Sequence, residues 1–92
     1  MIEPQVRFRQ IDSCETGIFE NDLLVMNTET LDTIVLNPTA AVLWEALNWP
    51  QSLEDLAGLL SEVFTEEEKE NLKTRVAEVL QALIIRKLLI KA

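Results

Sequence analysis

Ser13, Cys14, Ser52 and Ser61 are the side chains that could act as nucleophiles, and the chain holds no histidine to serve any of them. A hydroxyl or thiol attacks only with a base within hydrogen-bond reach, so acyl transfer and hydrolysis lack their second member. Cys14 stands close to Asp12 and Glu15, acids that raise a thiol pKa and dull its reactivity. Ser52 opens Ser52-Leu53-Glu54-Asp55, which has the form of a helix capping box. Glu66-Glu67-Glu68 offers carboxylates for acid–base or metal work, but acids in a first helical turn are what the helix dipole favours. One cysteine forms no internal disulfide, and without histidine a zinc site of the usual kind is not assembled. The residues read as a chain with no catalytic group, no metal and no cofactor.

Binding is the chemistry that remains. Trp44 and Trp49 could stack on a ligand, yet Trp44 shares a helical face with Ala40, Ala41 and Leu47 to within a turn, which assigns it to the core; Trp49 is the more open of the two. Arg75 and Arg86, taken singly, read as the solvated flank of a helix. The stretch Asp32-Thr33-Ile34-Val35-Leu36 is different in kind. Its β-branched residues suit a pleated, half-buried surface, and it carries no Pro or Lys to blunt a free edge. Its one charge, Asp32, stands at the start. An extended peptide added there gains main-chain hydrogen bonds, and its alternate side chains drop into pockets. Arg75, Val79, Ala82 and Arg86, three or four residues apart along one helical flank, supply an opposite wall beside Val76 and Leu83. Periodicity alone assigns that whole apolar stripe to the core.

The elements that position these residues follow from local signals. Gln5 to Ile11 alternates, with Val6 and Phe8 on one face and Arg7 and Arg9 on the other, and predicts a strand with one wet face. Asp12 to Gly17 is polar and turn-prone. Ile18-Phe19 and Leu23 to Met26 predict a second strand, interrupted at Glu20-Asn21-Asp22. Asn27-Thr28-Glu29-Thr30 has hairpin length, so Leu23–Met26 and Leu31–Leu36 should pair antiparallel. Asn37 is a favoured N-cap and Pro38 suits the first helical position, which starts a helix whose Val42, Leu43 and Leu47 share a core with Leu36. Pro50 ends that helix near Asn48 and makes Trp49 a corner.

Leu53, Leu56, Ala57, Leu60 and Val63 or Phe64 form one apolar face of a second helix. Thr65-Glu66-Glu67-Glu68 repeats the capping-box pattern before a third helix, whose stripe is Leu72, Val76, Val79, Leu80, Leu83 and Ile84. Leu88-Leu89-Ile90 reads as a last helical turn or a short extended tail. The expected fold is α+β, a winged helix-turn-helix-like domain with a three-stranded antiparallel sheet followed by three helices, and residues 1–92 are expected to form a single domain.

Composition removes further classes. Eight Lys and Arg against sixteen Asp and Glu give a net charge of −8, the wrong sign for a phosphate backbone. Nucleic acid is not the expected partner. No apolar run approaches the roughly 20 residues that cross a bilayer, and Met1-Ile2-Glu3-Pro4 lacks the basic start of a signal peptide. No membrane partner is expected, and the expected place is the cytoplasm.

Val35-Leu36-Asn37-Pro38-Thr39-Ala40-Ala41-Val42-Leu43-Trp44, then Ser52-Leu53-Glu54-Asp55-Leu56-Ala57, then the long helix ending in Leu83-Ile84 and Leu88-Leu89, resembles the PqqD-like family. These are precursor-peptide recognition elements of pathways that modify ribosomally made peptides. The chain is most similar to the free-standing leader-binding proteins of lasso-peptide biosynthesis. The resemblance implies three strands and three helices, no catalysis, and a precursor's leader peptide bound as an extra strand. Carried over by position, main-chain pairing falls to Asp32, Thr33, Ile34, Val35 and Leu36, and the pocket wall to Arg75, Val76, Val79, Ala82, Leu83 and Arg86. It also implies delivery of the leader to a cysteine-protease leader peptidase or another modifying enzyme. Two departures concern loop geometry: Asn48-Trp49-Pro50 and Arg86-Lys87 stand where the family often has Gly. The rival readings are a winged-helix transcriptional regulator, which predicts a basic recognition helix, and a small dimerisation module joined through the same edge strand.

Overall fold

The computed structural model describes residues 2–65 and 68–92, with Lys69 described by its backbone only. Asn37 opens helix α1 (Pro38–Ala46), its Oδ1 accepting from the Ala40 N–H at 2.8 Å, with Pro38 at the first position. The strand before it, β4 (Thr33–Leu36), thus runs into the helix through a single residue. Helix α2 (Leu53–Val63) has the expected reciprocal cap. Ser52 Oγ accepts from the Asp55 N–H at 3.0 Å, and the Ser52 N–H donates to the Asp55 carboxylate at 2.9 Å.

Helix α3 (Lys69–Ile85) begins later than the Thr65 pattern suggests. Its N-cap is Glu68, which makes no side-chain cap bond, while the Glu68 carbonyl accepts from Asn71 and Leu72. Thr65 is therefore not the cap of this helix, and Glu66 and Glu67 of the expected box lie outside the described residues.

The sheet departs most from expectation. Instead of one three-stranded sheet before three helices, the described residues form two. In the first, β1 (Arg7–Gln10) lies between β5 (Gln51–Ser52) and β6 (Leu89–Lys91), antiparallel to both. The Leu88-Leu89-Ile90 tail is thus extended, with Arg9 opposite Ile90. In the second, the order is β2 (Cys14–Phe19), β3 (Asp22–Asn27), β4, all antiparallel. Residues from Cys14 to Gly17, expected as a turn, belong to β2, and Glu20-Asn21 is the connection of a β2–β3 hairpin with Glu20 at φ 59°. The reason is burial. No residue of β2 is fully buried, so its sequence carries no inward periodicity, and it is held by backbone pairing to β3 with only Cys14 packed on the core. The β3–β4 hairpin pairs as expected, with Leu23 opposite Leu36 and Met26 opposite Thr33.

The core gathers Leu36 from β4, Leu43, Trp44 and Leu47 from the α1 region, Leu56 and Leu60 from α2, and Leu72, Val76, Leu80 and Leu83 from α3. Trp44 is buried, and Trp49 is 72% exposed at the corner. Val42, expected inside, is exposed, because α1 turns Leu43 and Trp44 inward. Of the alternatives at the end of α2, Phe64 packs on the core and Val63 stays outside. No helix among the described residues is long and apolar enough to cross a membrane.

Candidate functional site

β4 pairs with β3 on one side and, among the described residues, with no strand on the other. Leu36 is buried and Ile34 packs against the core, so the inward face is apolar and the outward face carries Thr33 and Val35. The Asn27 N–H donates to the Asp32 carbonyl at 2.8 Å, which turns that residue's carbonyl toward β3. Antiparallel alternation then turns the main-chain groups of Ile34 and Leu36 to the other side of Thr33 and Val35, and leaves those of Thr33 and Val35 at the free edge. The Asp32 carboxylate is engaged by the Thr30 hydroxyl at 2.8 Å.

Helix α3 stands across from this edge. Its far end is fixed to the hairpin by Asn27, a buried residue at the end of β3. Asn27 Nδ2 donates to the Lys87 carbonyl at 2.8 Å, while its Oδ1 accepts from the N–H groups of Glu29 at 2.8 Å and Thr30 at 3.1 Å. One side chain therefore shapes the turn before β4 and holds that turn to the end of α3. Lys87 can accept this bond because of how α3 ends. Lys87 is at φ 58°, its N–H reaches the Ile84 carbonyl at 2.9 Å, and the Leu88 N–H reaches the Leu83 carbonyl at 3.0 Å. This is a Schellman closure with a lysine where glycine is usual.

At the other end of β4 lies a cleft of about 270 Å³. Asn37, Thr39 and Ala40 form one wall, Arg75, Glu78 and Val79 of α3 the other, and Leu43 and Leu60 line it as well. The start of β4 is tied to the end of α3 and its exit faces Arg75, so strand and helix run in opposite senses beside one another.

Of the residues expected in the wall, Arg75 and Val79 line this cleft. Ala82 lines a shallower apolar hollow of about 610 Å³ on the outer side of α3 with Ala77 and Ile85, and Glu78 borders both. Arg86 is the exposed C-cap of α3. Val76 and Leu83 correct the expectation: both have 0% exposure and belong to the core. At 100° per residue they share the inward line of Leu72 and Leu80, whereas Val79 is turned toward the flank. A peptide has no surface of Val76 or Leu83 to touch. Asn27 was not singled out in the sequence; an Asx residue heading the polar turn Asn27-Thr28-Glu29-Thr30 was the available signal.

Two of the nucleophile candidates are held in local contacts. Burial, and then the Asp12 charge, push the Cys14 thiol up from its ordinary value, and its Sγ–H is directed at the Ile11 carbonyl at 3.4 Å. Ser52 is occupied in the helix cap.

The family model described as coenzyme PQQ synthesis protein D (PqqD) matches residues 22–89. The chain belongs to the PqqD family. The match runs from the first residue of β3 to the first of β6 and so contains β4, the cleft and all of α3. No curated protein sequence matches the chain. Among solved structures, a similar fold is found in TbiB1 in complex with the TbiA(β) leader peptide, with a TM-score of 0.75 at 14% identity over 88% of this chain and 93% of that one. A lasso peptide synthetase B1 complexed with the leader peptide gives a TM-score of 0.74 at 19% identity, covering 90% of this chain and 96% of the other. At these identities the likeness is one of fold.

Proposed function

We propose that this PqqD-family chain, acting over residues 1–92 as one recognition domain, binds the leader region of a ribosomally synthesised precursor peptide by strand addition to β4. It performs no chemistry of its own and hands the leader to a leader peptidase or another modifying enzyme, as in lasso-peptide biosynthesis, in the cytoplasm. The observation that carries this reading is the free edge of β4 beside the Arg75–Val79 cleft. An unguarded edge offers main-chain donors and acceptors, and a neighbouring cleft lined by apolar and charged side chains offers side-chain selection. Both structural relatives are complexes with leader peptides, which supports the same class of ligand here. The DNA-binding reading has the wrong charge: α2 carries Glu54, Asp55 and Glu62 and no basic residue.

The test uses a fluorescein-labelled synthetic peptide matching the leader of the precursor encoded beside this protein, titrated by fluorescence anisotropy. Thr33→Pro removes an edge N–H that β3 does not use, a place where sheets tolerate proline. Val79→Glu places a charge in the cleft. Each is expected to weaken binding by about tenfold or more, the equivalent of about 1.4 kcal/mol, with the thermal transition retained. Leu83→Glu is not a usable probe, because it buries a charge in the core. Saturable binding that both variants leave intact would remove β4 and the cleft from the site.

A further inference from the structure

We infer that the bound leader is read on both of its faces, with Leu31 and Val35 receiving the side chains that point away from α3; this rests on strand addition to β4. An edge strand that only lends its backbone needs an apolar face toward the core and a wettable face outward. The outward face here carries exposed apolar surface beside its polar residues. Val35 is 56% exposed and pairs with Leu24, and Thr33 pairs with Met26. Gly17 stands opposite Leu24 with nothing near its missing Cβ. The result is a hollow of about 220 Å³ on the outer face, lined by Leu24, Met26, Gly17 and Thr33 with Glu15 and Thr16 at its border, and Val35 stands opposite Leu24.

Leu31 adds a second observation of a different kind. It directly precedes Asp32 and β4, is 68% exposed, and is held at φ 67° by its N–H bond to the Asn27 carbonyl at 2.7 Å. Glycine or asparagine takes that conformation readily, whereas a leucine is strained there. A large apolar side chain that is both strained and wet contributes nothing evident to the free fold, and such outliers collect at binding sites. Leu31 and Val35 bracket the outward side of the strand that a leader would extend.

The charges select the occupant. From residue 12 to residue 36 the chain has Asp12, Glu15, Glu20, Asp22, Glu29 and Asp32 and no Lys or Arg. A second copy paired edge to edge would bring two acidic sheets together, each without a Lys or Arg to offset the other. A leader whose outward positions are apolar and free of acids is not opposed in this way.

The test replaces each residue of the synthetic leader in turn with Asp and measures affinity by anisotropy. Reading from both faces predicts weakening of at least about fivefold at consecutive positions across the β4 segment, whereas reading from the α3 side alone gives a loss that alternates with period two. On the protein, Leu31→Gly is expected to raise the melting temperature and weaken leader binding by at least about fivefold, and Val35→Thr to weaken it similarly with the fold retained. An alternating scan overturns the inference, as does wild-type affinity in both variants. In those outcomes wild type still binds and Thr33→Pro does not, so the strand-addition reading stands. A wild-type protein that binds no leader, or a Thr33→Pro protein that binds as wild type does, overturns both.

Discussion

Asn27→Ala tests how the sheet is held to α3. The side chain makes three hydrogen bonds, one to the Lys87 carbonyl and two from the turn N–H groups of Glu29 and Thr30. Each such bond is worth about 1 kcal/mol net. Glu29 and Thr30 are exposed, so their N–H groups recover part of this from water, whereas the bond to Lys87 is part-buried. The expected loss is therefore about 2 kcal/mol. With a urea dependence of about 1 kcal/mol per molar for a small domain, the unfolding midpoint should fall by about 2 M. Trp44 is buried and Trp49 exposed, so fluorescence in a Trp49→Phe background follows the core. Asn27→Asp separates the two roles. It keeps the acceptor for the turn and sets a carboxylate against the Lys87 carbonyl, so it should loosen the bracket while sparing the turn. Leader affinity should fall in both variants, because the bracket sets the spacing between β4 and α3. A midpoint shift below about 0.5 M in Asn27→Ala would refute the reasoning, since no bonding role of this size could then be sustained.

Four further outcomes follow from local geometry. Lys87→Gly keeps the Schellman closure and removes the left-handed strain, so stability should rise by about 1 kcal/mol, read as a higher melting temperature. Ser52→Ala loses the α2 cap and should cost about 1 kcal/mol by urea titration. Asp55 supplies a pH dependence: the bond from the Ser52 backbone N–H, foremost, holds its carboxyl below the ordinary value of 3.8. A depressed folded-state pKa gives stability that is present above the unfolded value and is lost as pH falls through the folded one. Asp55→Asn should accordingly flatten the acid limb of the urea midpoint against pH. The raised Cys14 thiol should alkylate with iodoacetamide more slowly in the folded protein than in urea near neutral pH, with the gap closing as pH climbs. Equal rates would show that the Cys14 surroundings do not suppress the thiolate.

The local sequence determined the elements whose signals lie within a turn of themselves. Asn37-Pro38 started α1, Ser52 and Asp55 closed the cap of α2, and the three- and four-residue spacing of Leu72, Val76, Leu80 and Leu83 gave α3 its inward line. The β3–β4 hairpin and the free edge of β4 were legible for the same reason, as a β-branched run after a short polar turn. What the tertiary structure alone decided depends on partners far along the chain. β2 has no buried residue and β5 and β6 are two and three residues long, so their existence is a matter of backbone pairing that no periodicity records. The reach of Asn27 to Lys87, across sixty residues, is of the same kind. The stripe of α3 was wider than one face, and only packing could divide it into Val76 and Leu83, which the core consumes, and Val79, which it leaves at the cleft. Helical spacing fixes angles around an axis, but the surface that remains uncovered is set by what the rest of the chain lays against it.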